Sequence, residues 1–482
     1  MTELPERRCR CCVLGAGPAG LGAALELSRH GVDDILIIDR NKTVGGLSRT
    51  EEFGGARFDV GPHRFFTKNT EINQLWHEML GDDFKPVDRL TRIFYKGKFF
   101  NYPIKIFDAL PKLGSIEAIQ AMVSFAGTLR RRGEPETFED WITQKFGRKL
   151  YETFFKTYTE KVWGIPCSQI GAEWAAQRIK GLDLLGLVKN SLFGHSRRQI
   201  KTLVEQFDYP ILGAGQMYEG MAEKVVPRHG DLMLETSVVA IHREGERVVS
   251  VDVEGADGLR TRIVAEHFLT SIPLTHFIRL MAPQEQAKVL EASDALYYRD
   301  HITVNLLVEG DHLFPDQWVY IHAPDVRSAR LANYNNFSGS MAGAPHRTAL
   351  SVEYFVFQHE DLWTMSDNDI EELAVEEVAR LGLLDPRAVQ RSWVVRETES
   401  YPTYYLGFKE PYNFLKDRIN QLENVTPIGR GGMYKYNNQD HSLMSGLLGA
   451  RNYLEVGGAP FDLWEINVDA EYHESARREE DS

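Results

Sequence analysis

The strongest constraint on the fold is a glycine-rich turn between a short apolar strand and a helix, Val-Leu-Gly-Ala-Gly-Pro-Ala-Gly at 13–20. Gly15 permits the tight turn, and Gly17 lets the backbone approach a pyrophosphate held at the positive N-terminus of the helix. Gly20 lets that helix pack close to the strand. A second apolar strand ends at Asp39, whose carboxylate can accept hydrogen bonds from both hydroxyls of a ribose. This spacing predicts a dinucleotide-binding βαβ unit rather than a coincidental glycine turn, and the aspartate favours an unphosphorylated ribose.

The bulk composition limits the class of protein. A chain of 482 residues, 43% of them apolar, is long enough for two or three domains. The formal net charge of −14 argues against a general nucleic-acid or anionic-membrane surface, so an anionic substrate needs local arginines. The four cysteines, three of them within 9–12, fit neither a disulfide framework nor a zinc site. Cysteines without such a framework are typical of reduced thiols in a cytoplasmic protein, and because no stretch approaches ~18 uninterrupted apolar residues we expect no transmembrane span.

The order of patterns along the chain predicts an α/β fold with discontinuous domains. Two more glycine-rich loops follow Asp39, at 45–46 and 54–61, and suggest a backbone wrapped around an extended ligand. Residues 92–103 are typical of a hairpin, after which the apolar period becomes helical and a capping box begins at Thr137. Alternating strands in the second half of the chain predict a mostly antiparallel sheet.

The predicted division separates the nucleotide-binding domain into three segments. An apolar strand, several glycines and a helix near the end of the chain indicate that the chain returns there to complete the cofactor site. The predicted nucleotide-binding segments are 1–103, 208–275 and 423–465, the helical insertion or substrate cap is 104–207, the antiparallel-sheet substrate domain is 276–422, and the C-terminal tail is 466–482.

Three blocks of the sequence resemble a known family. They are 58–63 with 66–69, then 147–164, and then 429–430 with 434–436. On these blocks the chain resembles FAD-dependent proteins of the amine-oxidase-like, glutathione-reductase-type superfamily, and within it the UDP-galactopyranose mutase family. The middle block, Phe-Phe-Lys-x-Tyr-Thr-x-Lys-x-Trp-Gly, is distinctive of mutases. The resemblance spans nearly the whole chain and implies a Rossmann-type FAD-binding domain, with FAD rather than NAD as the cofactor.

The resemblance also implies an unusual use of the flavin. In that family the reduced flavin attacks the anomeric carbon of the sugar, expels the nucleotide diphosphate, and holds the sugar while its ring opens and recloses. The reaction has no net redox change and divides one difficult displacement between two easier ones. The expected partners are therefore a nucleotide-sugar substrate and a flavin reductant such as NAD(P)H.

The resemblance assigns substrate contacts to aromatic side chains. Phe154 and Tyr158 correspond to walls for the nucleotide base, because aromatic faces stack on bases. Trp163 corresponds to the lining of the sugar pocket, and Tyr405, in a tyrosine cluster around Pro402, is a further predicted contact. The spacing alone would instead favour a packed helix face for the first three residues and a sheet-edge cluster for the tyrosines.

The polar residues of the site are also implied by the resemblance. Arg178 and Arg330 correspond to clamps on the diphosphate, a role that suits forked guanidinium donors, although either could be an ordinary surface charge. Tyr436 corresponds to a phosphate-contacting tyrosine. His63 lies in the Gly-Pro-His loop that would face the flavin ring, with a structural loop histidine as the alternative. The predicted cofactor contacts are Gly15, Gly17, Ala19, Gly20, Asp39, Arg40, Gly46, Leu47, Ser48, Gly61, Pro62, His63, Val239, Gly429, Arg430, Asn438, Asp440, His441 and Ser442.

Two departures from the mutase pattern leave the substrate open. The segment 181–201 is longer and more apolar than the family's short polar loop and ends in a basic cluster, so a lid or a peripheral membrane contact are alternatives there. The run 436–441 also differs, which indicates a sister branch. The competing functions are a FAD-dependent oxidase or desaturase of an amine, porphyrinogen or lipid-like substrate, and a binding protein without flavin.

Overall fold

The computed structural model describes residues 4–102, 104, 106–128, 133–172, 174, 206–282 and 284–466. Two seven-stranded sheets and two two-stranded sheets lie within these residues. The strands, in chain order, are β1 (Glu6–Leu14), β2 (Ile35–Ile38), β3 (Thr50–Phe53), β4 (Ala56–Asp59), β5 (Phe84–Asp88), β6 (Thr91–Tyr95), β7 (Lys98–Asn101), β8 (Gln206–Pro210), β9 (Gly230–Met233), β10 (Thr236–Glu244), β11 (Arg247–Gly255), β12 (Arg260–Thr270), β13 (Tyr298–Glu309), β14 (Trp318–Ile321), β15 (Arg330–Asn333), β16 (Arg347–Val356), β17 (Val389–Pro402) and β18 (Val425–Pro427).

Helices connect many of these strands along the chain. In chain order the described α-helices are α1 (Pro18–Arg29), α2 (Thr70–Leu80), α3 (Ile106–Leu113), α4 (Ser115–Thr128), α5 (Phe138–Phe146), α6 (Arg148–Tyr151), α7 (Thr157–Trp163), α8 (Gln216–His229), α9 (Leu274–Leu280), α10 (Ala287–Ala295), α11 (Asp361–Thr364), α12 (Asp367–Arg380), α13 (Lys409–Asn420), α14 (Gly429–Gly432) and α15 (Gln439–Tyr453). Within the described part of the chain, no helix is long and apolar enough to cross a membrane.

The first sheet is the predicted nucleotide-binding sheet. Its order is β10-β11-β12-β1-β2-β9, and β18 joins at β12. The pairs of β1 with β12, β1 with β2, β2 with β9 and β12 with β18 are all parallel, whereas β10 and β11 form an antiparallel extension. Residues 11–14 of β1 are at most 1% exposed, as expected for a parallel strand covered on both faces. The predicted α/β class and the discontinuous sheet are thus confirmed, and the four cysteines are buried and free.

The second sheet is mostly antiparallel, as the sequence predicted. Its order is β17-β13-β16-β15-β14-β6-β7, and the one parallel pair within it joins β14 to β6. One face of the sheet packs against α12. Strands β6 and β7 form the predicted hairpin, but they belong to this sheet and not to the nucleotide-binding segment 1–103. Hairpin formation is decided by local residues, whereas the parallel pairing of β6 with a strand over 200 residues away is not.

The helical insertion begins after β7 and carries the distinctive aromatic block. Thr137 caps α5 with the predicted capping box, in which its side chain accepts from the Asp140 backbone and Asp140 accepts from the Thr137 backbone. Helices α6 and α7 are continuous through a π-helical turn at 152–156, and Gly164 ends α7 in the left-handed conformation. π-Turns inside helices are frequent at functional sites, and this one coincides with the Phe-Phe-Lys of the block.

The buried carboxylate of Asp59 is hydrogen-bonded to several segments of the chain that are distant in sequence. Asp59, at the end of β4, accepts hydrogen bonds from Thr50 Oγ1 (2.7 Å), the Tyr209 hydroxyl (2.7 Å) and the Ala214 backbone (3.0 Å). Its backbone carbonyl accepts from the Tyr334 hydroxyl at 2.7 Å. Asp59 is 0% exposed, and these four contacts fix the start of the Gly-Pro-His loop that follows it.

Candidate cofactor and substrate site

The first glycine loop is shaped by close backbone packing. Gly15 has a φ of 112°, and a Cβ there would lie 2.1 Å from Ser271 Oγ. A Cβ on Gly20 would lie 1.8 Å from the Gly15 carbonyl oxygen, so α1 can approach the turn this closely only with glycine. Gly17 is the N-cap of α1 and provides no side-chain cap, and the first turn contains no acidic residue. The N-terminus of α1 therefore has neither a side-chain cap nor a nearby carboxylate, the arrangement that suits an anion at a helix terminus.

Asp39, the residue predicted to bind a ribose, contacts the same glycine loop. Asp39 Oδ2 accepts a hydrogen bond from the Ala16 backbone (2.6 Å), and Oδ1 accepts one from the Asn41 backbone (2.8 Å). Each oxygen can accept a second hydrogen bond, and the residue is 8% exposed. Its neighbour Arg40, also a predicted cofactor contact, is exposed.

The second and third glycine-rich segments meet the first. Gly46 has a φ of 54°, and a Cβ on it would lie 3.0 Å from the Gly17 Cα. Gly429 has a φ of 74°, and a Cβ on it would lie 2.8 Å from the Ala19 Cβ. The Gly429 backbone donates to Ser445 Oγ at 2.8 Å, which ties the segment to α15. The structure therefore brings predicted cofactor residues from both ends of the chain to the start of α1.

Most of the other predicted cofactor residues lie in or shortly after the glycine-rich segments that meet at the start of α1, and one, Val239, lies in β10 of the first sheet. Ser48, Asp440 and Ser442 are buried, and Leu47, Asn438 and His441 are partly buried. The Asn438 backbone donates to His441 Nδ1 at the start of α15 (3.3 Å). Val239 lies at a register shift between β10 and β11, where a bulge changes the direction of a side chain.

A cluster of aromatic and guanidinium groups lies beside the third segment. The Arg430 guanidinium carbon lies 5.0 Å from the Tyr401 ring centre and 5.1 Å from that of Tyr436. The two tyrosine rings are 5.6 Å apart, and Trp163 is 5.9 Å from Tyr436. Arg430 Nε donates to the Asn437 carbonyl at 2.8 Å. Residues from the insertion, the second sheet and the C-terminal segment thus share one cluster.

Arg330 enters this cluster as one partner of a buried ion pair. It faces Glu353 across the β15–β16 pair, and its Nε and Nη2 donate to the two carboxylate oxygens. The side chains are 15% and 1% exposed. Burial lowers the pKa of Arg330, but the adjacent carboxylate outweighs this and raises the pKa above its ordinary range. Nη1 makes no hydrogen bond with the described residues, so it is the atom available to an anion.

His63 lies beside the same arginine. A Cβ on Gly61 would lie 3.7 Å from Arg330 Nη2 and 3.9 Å from His63 Cε1, so the loop packs directly on both side chains. Burial, together with the charges of Arg430 and Arg330, lowers the pKa of His63 to about 3. Nδ1 is buried and has no hydrogen-bond partner among the described residues. His63 is therefore a neutral imidazole with one open nitrogen.

The aromatic residues of the insertion differ in their surroundings. Tyr158 is partly buried and stacks on His322, with ring centres 5.0 Å apart and an interplanar angle of 5°. Trp163 and Phe154 are each 3% exposed. Phe154 packs edge-on against Phe100 at 5.1 Å inside a hydrophobic cluster. Packing alone accounts for the position of Phe154, while Tyr158 also packs edge-on against Tyr320, with ring centres 5.0 Å apart.

Polar contacts hold α7, and with it Tyr158, on the second sheet. Lys161 Nζ donates to the carbonyl oxygens of Ile321 (3.3 Å), Ala323 (2.7 Å) and Ser328 (3.0 Å). Burial lowers the pKa of Lys161 to about 8. Arg299 Nε donates to the carbonyl of residue 162 at 3.3 Å, which caps the C-terminal end of the helix.

Two predicted residues are placed differently or lie outside this description. Tyr405 stacks on Tyr297 at 5.0 Å, and its hydroxyl donates to the Ala295 carbonyl, whereas Tyr401 from the same tyrosine cluster contacts Arg430. Arg178 and the segment 181–201 lie outside the described residues.

Sequence reasoning also missed Glu353 and His301. His301 Nδ1 lies 2.9 Å from Ser400 Oγ, and the ring packs 6.3 Å from Tyr401. Neither residue belongs to a recognisable motif. Both reach the cluster through pairing between strands that are distant in the sequence, which the sequence alone does not reveal.

Comparison with known proteins agrees with the predicted resemblance. The profile of the family described as flavin containing amine oxidoreductase matches residues 18–430. A probable UDP-galactopyranose mutase of Klebsiella pneumoniae is 28% identical over 253 residues, which are 50% of this chain and 59% of that protein. A dTDP-fucopyranose mutase of Escherichia coli is 26% identical over 167 residues, 33% of this chain and 43% of that protein.

The match to these two relatives therefore spans 59% and 43% of their lengths. Among solved structures, reduced UDP-galactopyranose mutase has the same fold, with a TM-score of 0.78 at 21% identity, covering 94% of this chain and 97% of that one. Because the family profile covers most of the chain, including α1, the second sheet and Arg430, this protein belongs to the flavin containing amine oxidoreductase family.

Proposed function

We propose that this chain binds FAD and, with the flavin reduced, converts the sugar ring of a nucleotide-diphosphate sugar between its pyranose and furanose forms. The observation that carries the proposal is the cluster in which Arg430 packs against both Tyr401 and Tyr436 while Arg330 is held nearby. Such a cluster suits a substrate that combines a flat base, a sugar and a diphosphate. The two relatives named as mutases support the same reaction type.

The glycine-rich segments fit FAD. Gly17 leaves the N-terminus of α1 open to a pyrophosphate, and Asp39 stands at the end of β2 where a ribose would lie. Gly46 and Gly429 approach α1 so closely that larger residues would close the junction. Reduced FAD bound there would supply the nucleophile toward the anomeric carbon, and a reductant such as NAD(P)H would keep it reduced.

Arg330 is the residue we assign to the diphosphate. Its two contacts with Glu353 hold the guanidinium in one orientation and leave Nη1 as a fixed donor. The pair is formally neutral, so the guanidinium acts on the phosphates through a directed hydrogen bond more than through net charge. Because Arg330 Nη1 is already held in position before the substrate binds, little free energy would be lost in orienting it toward the departing diphosphate.

The surrounding side chains bind and orient the substrate. Tyr158, which stacks on His322 and packs edge-on against Tyr320, would form part of the aromatic wall for a base. Trp163 and Tyr436 contact each other and would line the sugar side of the cluster. Because burial and the neighbouring arginines lower the pKa of His63 to about 3, the ring would be neutral at physiological pH, and its unpaired Nδ1 would be available to a bound ligand without adding a charge.

The proposal is tested by direct turnover. Protein reduced anaerobically with dithionite is incubated with a panel of nucleotide sugars that includes UDP-galactopyranose and dTDP-fucopyranose, and the products are separated by chromatography. We expect isomerisation of at least one sugar by the wild type. Arg330→Ala should reduce turnover by about a hundredfold or more while flavin absorbance is retained, because it removes an oriented donor to the leaving group.

A neighbouring arginine provides the matched control. Arg327 is three positions away, its side chain is 40% exposed, and it pairs with Asp361 at the surface. Arg327→Ala should keep full turnover. Because Arg330→Ala leaves the Glu353 carboxylate buried without its cation, the double variant Arg330→Met, Glu353→Gln shows whether lost activity reflects misfolding.

An oxidase would behave differently in the same assays. Continuous peroxide release from an amine, a porphyrinogen or a polyene, with no isomerisation of any sugar in the panel, would overturn the mutase assignment. Full turnover by Arg330→Ala would overturn the role of that arginine.

A further inference from the structure

Strand β17 forms a bulge where it passes the site. Arg299 of β13 pairs with Tyr401, but His301, only two positions later, pairs with Glu397, four positions earlier. β17 therefore carries two extra residues between these pairs. Within the bulge, Glu399 has a φ of 56°, a left-handed conformation that is uncommon outside glycine. Such a backbone persists only where neighbouring groups hold it.

Two consecutive residues of β13 hold the bulge. Asp300 is 3% exposed, and its Oδ1 accepts a hydrogen bond from the Glu399 backbone at 2.5 Å. His301 Nδ1 lies 2.9 Å from Ser400 Oγ, and both of these residues are buried. Asp300 therefore fixes the left-handed residue, and His301 fixes the side chain of the residue that follows it.

The direction of the contact with Ser400 follows from the protonation of His301. Burial, together with the charges of Arg330 and Arg49, lowers the pKa of His301 to about 3, so the ring is neutral and has one N–H. Ser400 Oγ donates its hydrogen to the Glu397 carbonyl at 3.3 Å. Its oxygen therefore accepts from His301, which places the ring N–H on Nδ1.

The bulge in turn holds Arg430. The Ser400 carbonyl accepts a hydrogen bond from Arg430 Nη1 at 3.2 Å, and the ring of the next residue, Tyr401, contacts the guanidinium. Among the described residues no carboxylate pairs with Arg430, whereas Arg49 and Arg330 are each paired with glutamate. Arg430 therefore brings an unpaired positive charge to the cluster.

This charge lies at the cofactor junction. Arg430 directly follows Gly429, and a Cβ on Gly429 would lie 2.8 Å from the Cβ of Ala19 in the first turn of α1. Reduction adds electrons to a flavin. A cation held nearby therefore stabilises the reduced state and raises the midpoint potential of the flavin.

We infer that His301 is a positioning residue for the cofactor: through Ser400 it fixes the bulge of β17 and the guanidinium of Arg430, and thereby raises the midpoint potential of bound FAD. His301 acts without touching the flavin. This role rests on the FAD binding in the proposed function and not on the sugar chemistry, so its test uses the flavin alone. A raised potential helps to keep the flavin reduced, as the proposed reaction requires.

The test is the midpoint potential of FAD bound to the full chain, measured by anaerobic titration against a dye of known potential. His301→Leu removes the Nδ1 donor, and we expect its potential to fall by about 30 mV or more, a tenfold weaker preference for the reduced state. His301→Asn keeps a donor at the position of Nδ1 and should stay near the wild type. Ser400→Ala removes the acceptor with a smaller change of shape and should lower the potential as His301→Leu does.

A double variant distinguishes action through Ser400 from direct action on the flavin. Because His301 and Ser400 share one hydrogen bond, His301→Leu, Ser400→Ala should lower the potential no further than the larger of the two single changes. Additive shifts would overturn the inference, as would equal potentials in the wild type and His301→Leu, or a His301→Asn that behaves like His301→Leu.

A histidine of the first sheet provides the matched control. His267 Nε2 lies 2.8 Å from Thr426 Oγ1, so His267→Leu removes the same kind of contact away from β17 and should keep the wild-type potential. A wild type that binds no flavin would overturn the cofactor assignment in the proposed function, and the role of His301 with it. A flavin-bound wild type with the same potential as His301→Leu would overturn only the role of His301.

Discussion

Replacing Asp59 by asparagine tests how the scaffold beneath the Gly-Pro-His loop is held. Burial raises the pKa of the Asp59 carboxyl to about 6 from an ordinary value of 3.8, although hydrogen bonds from Tyr209, Thr50 and Ala214 oppose the shift. Asparagine can keep these contacts, because its oxygen can accept from Thr50 and Ala214 while its amide donates to the Tyr209 oxygen. It removes the ionisation and leaves the shape nearly unchanged.

The magnitude follows from the pKa difference. A carboxyl that titrates at about 6 in the folded chain and at 3.8 when unfolded is protonated more in the folded state between those pH values. The stability of the wild type therefore falls as pH rises through this interval, by about 3 kcal/mol in total. With an unfolding entropy of about 2.1 cal/mol/K for each of 482 residues, this corresponds to about 3 °C in melting temperature.

The assay is thermal unfolding followed by circular dichroism between pH 4 and pH 7. Subtracting the wild-type melting temperature from that of Asp59→Asn cancels the other titrating groups, and the difference should rise by about 3 °C across the range. Asp59→Ala should be less stable than both at every pH, because it leaves three buried donors without an acceptor. A constant difference between Asp59→Asn and wild type would refute the reasoning.

Two further predictions concern the glycine loop and α7. Gly20→Ala should abolish the visible absorbance of bound flavin, because its Cβ would lie 1.8 Å from the Gly15 carbonyl oxygen, while Gly127→Ala in open space should retain it. Lys161→Met should lower stability by about 1–3 kcal/mol, measured by thermal unfolding, because three backbone carbonyls lose their donor. Lys161→Arg should lose less, and an unchanged melting temperature for Lys161→Met would contradict the assignment.

The structural features that the sequence alone determined are formed by residues that lie close together in the chain. The glycines at 15 and 20 and the aspartate at 39 lie within one βαβ unit, so their geometry follows from one turn and one helix. The Thr137 capping box and the hairpin turn at Lys96-Gly97 are likewise decided by residues within a few positions. Local sterics and hydrogen bonding leave few alternatives for such segments.

The arrangement of the site was decided by pairing between distant strands. The register of β15 against β16 places Arg330 opposite Glu353, and neither residue predicts the other from the sequence. The path of β17 brings Tyr401 to Arg430 and leaves Tyr405 against a different ring. A shift of one residue in register turns a side chain to the other face of a sheet. Motifs therefore determined which local elements and which family the sequence indicates, and the tertiary structure decided which side chains share the candidate site.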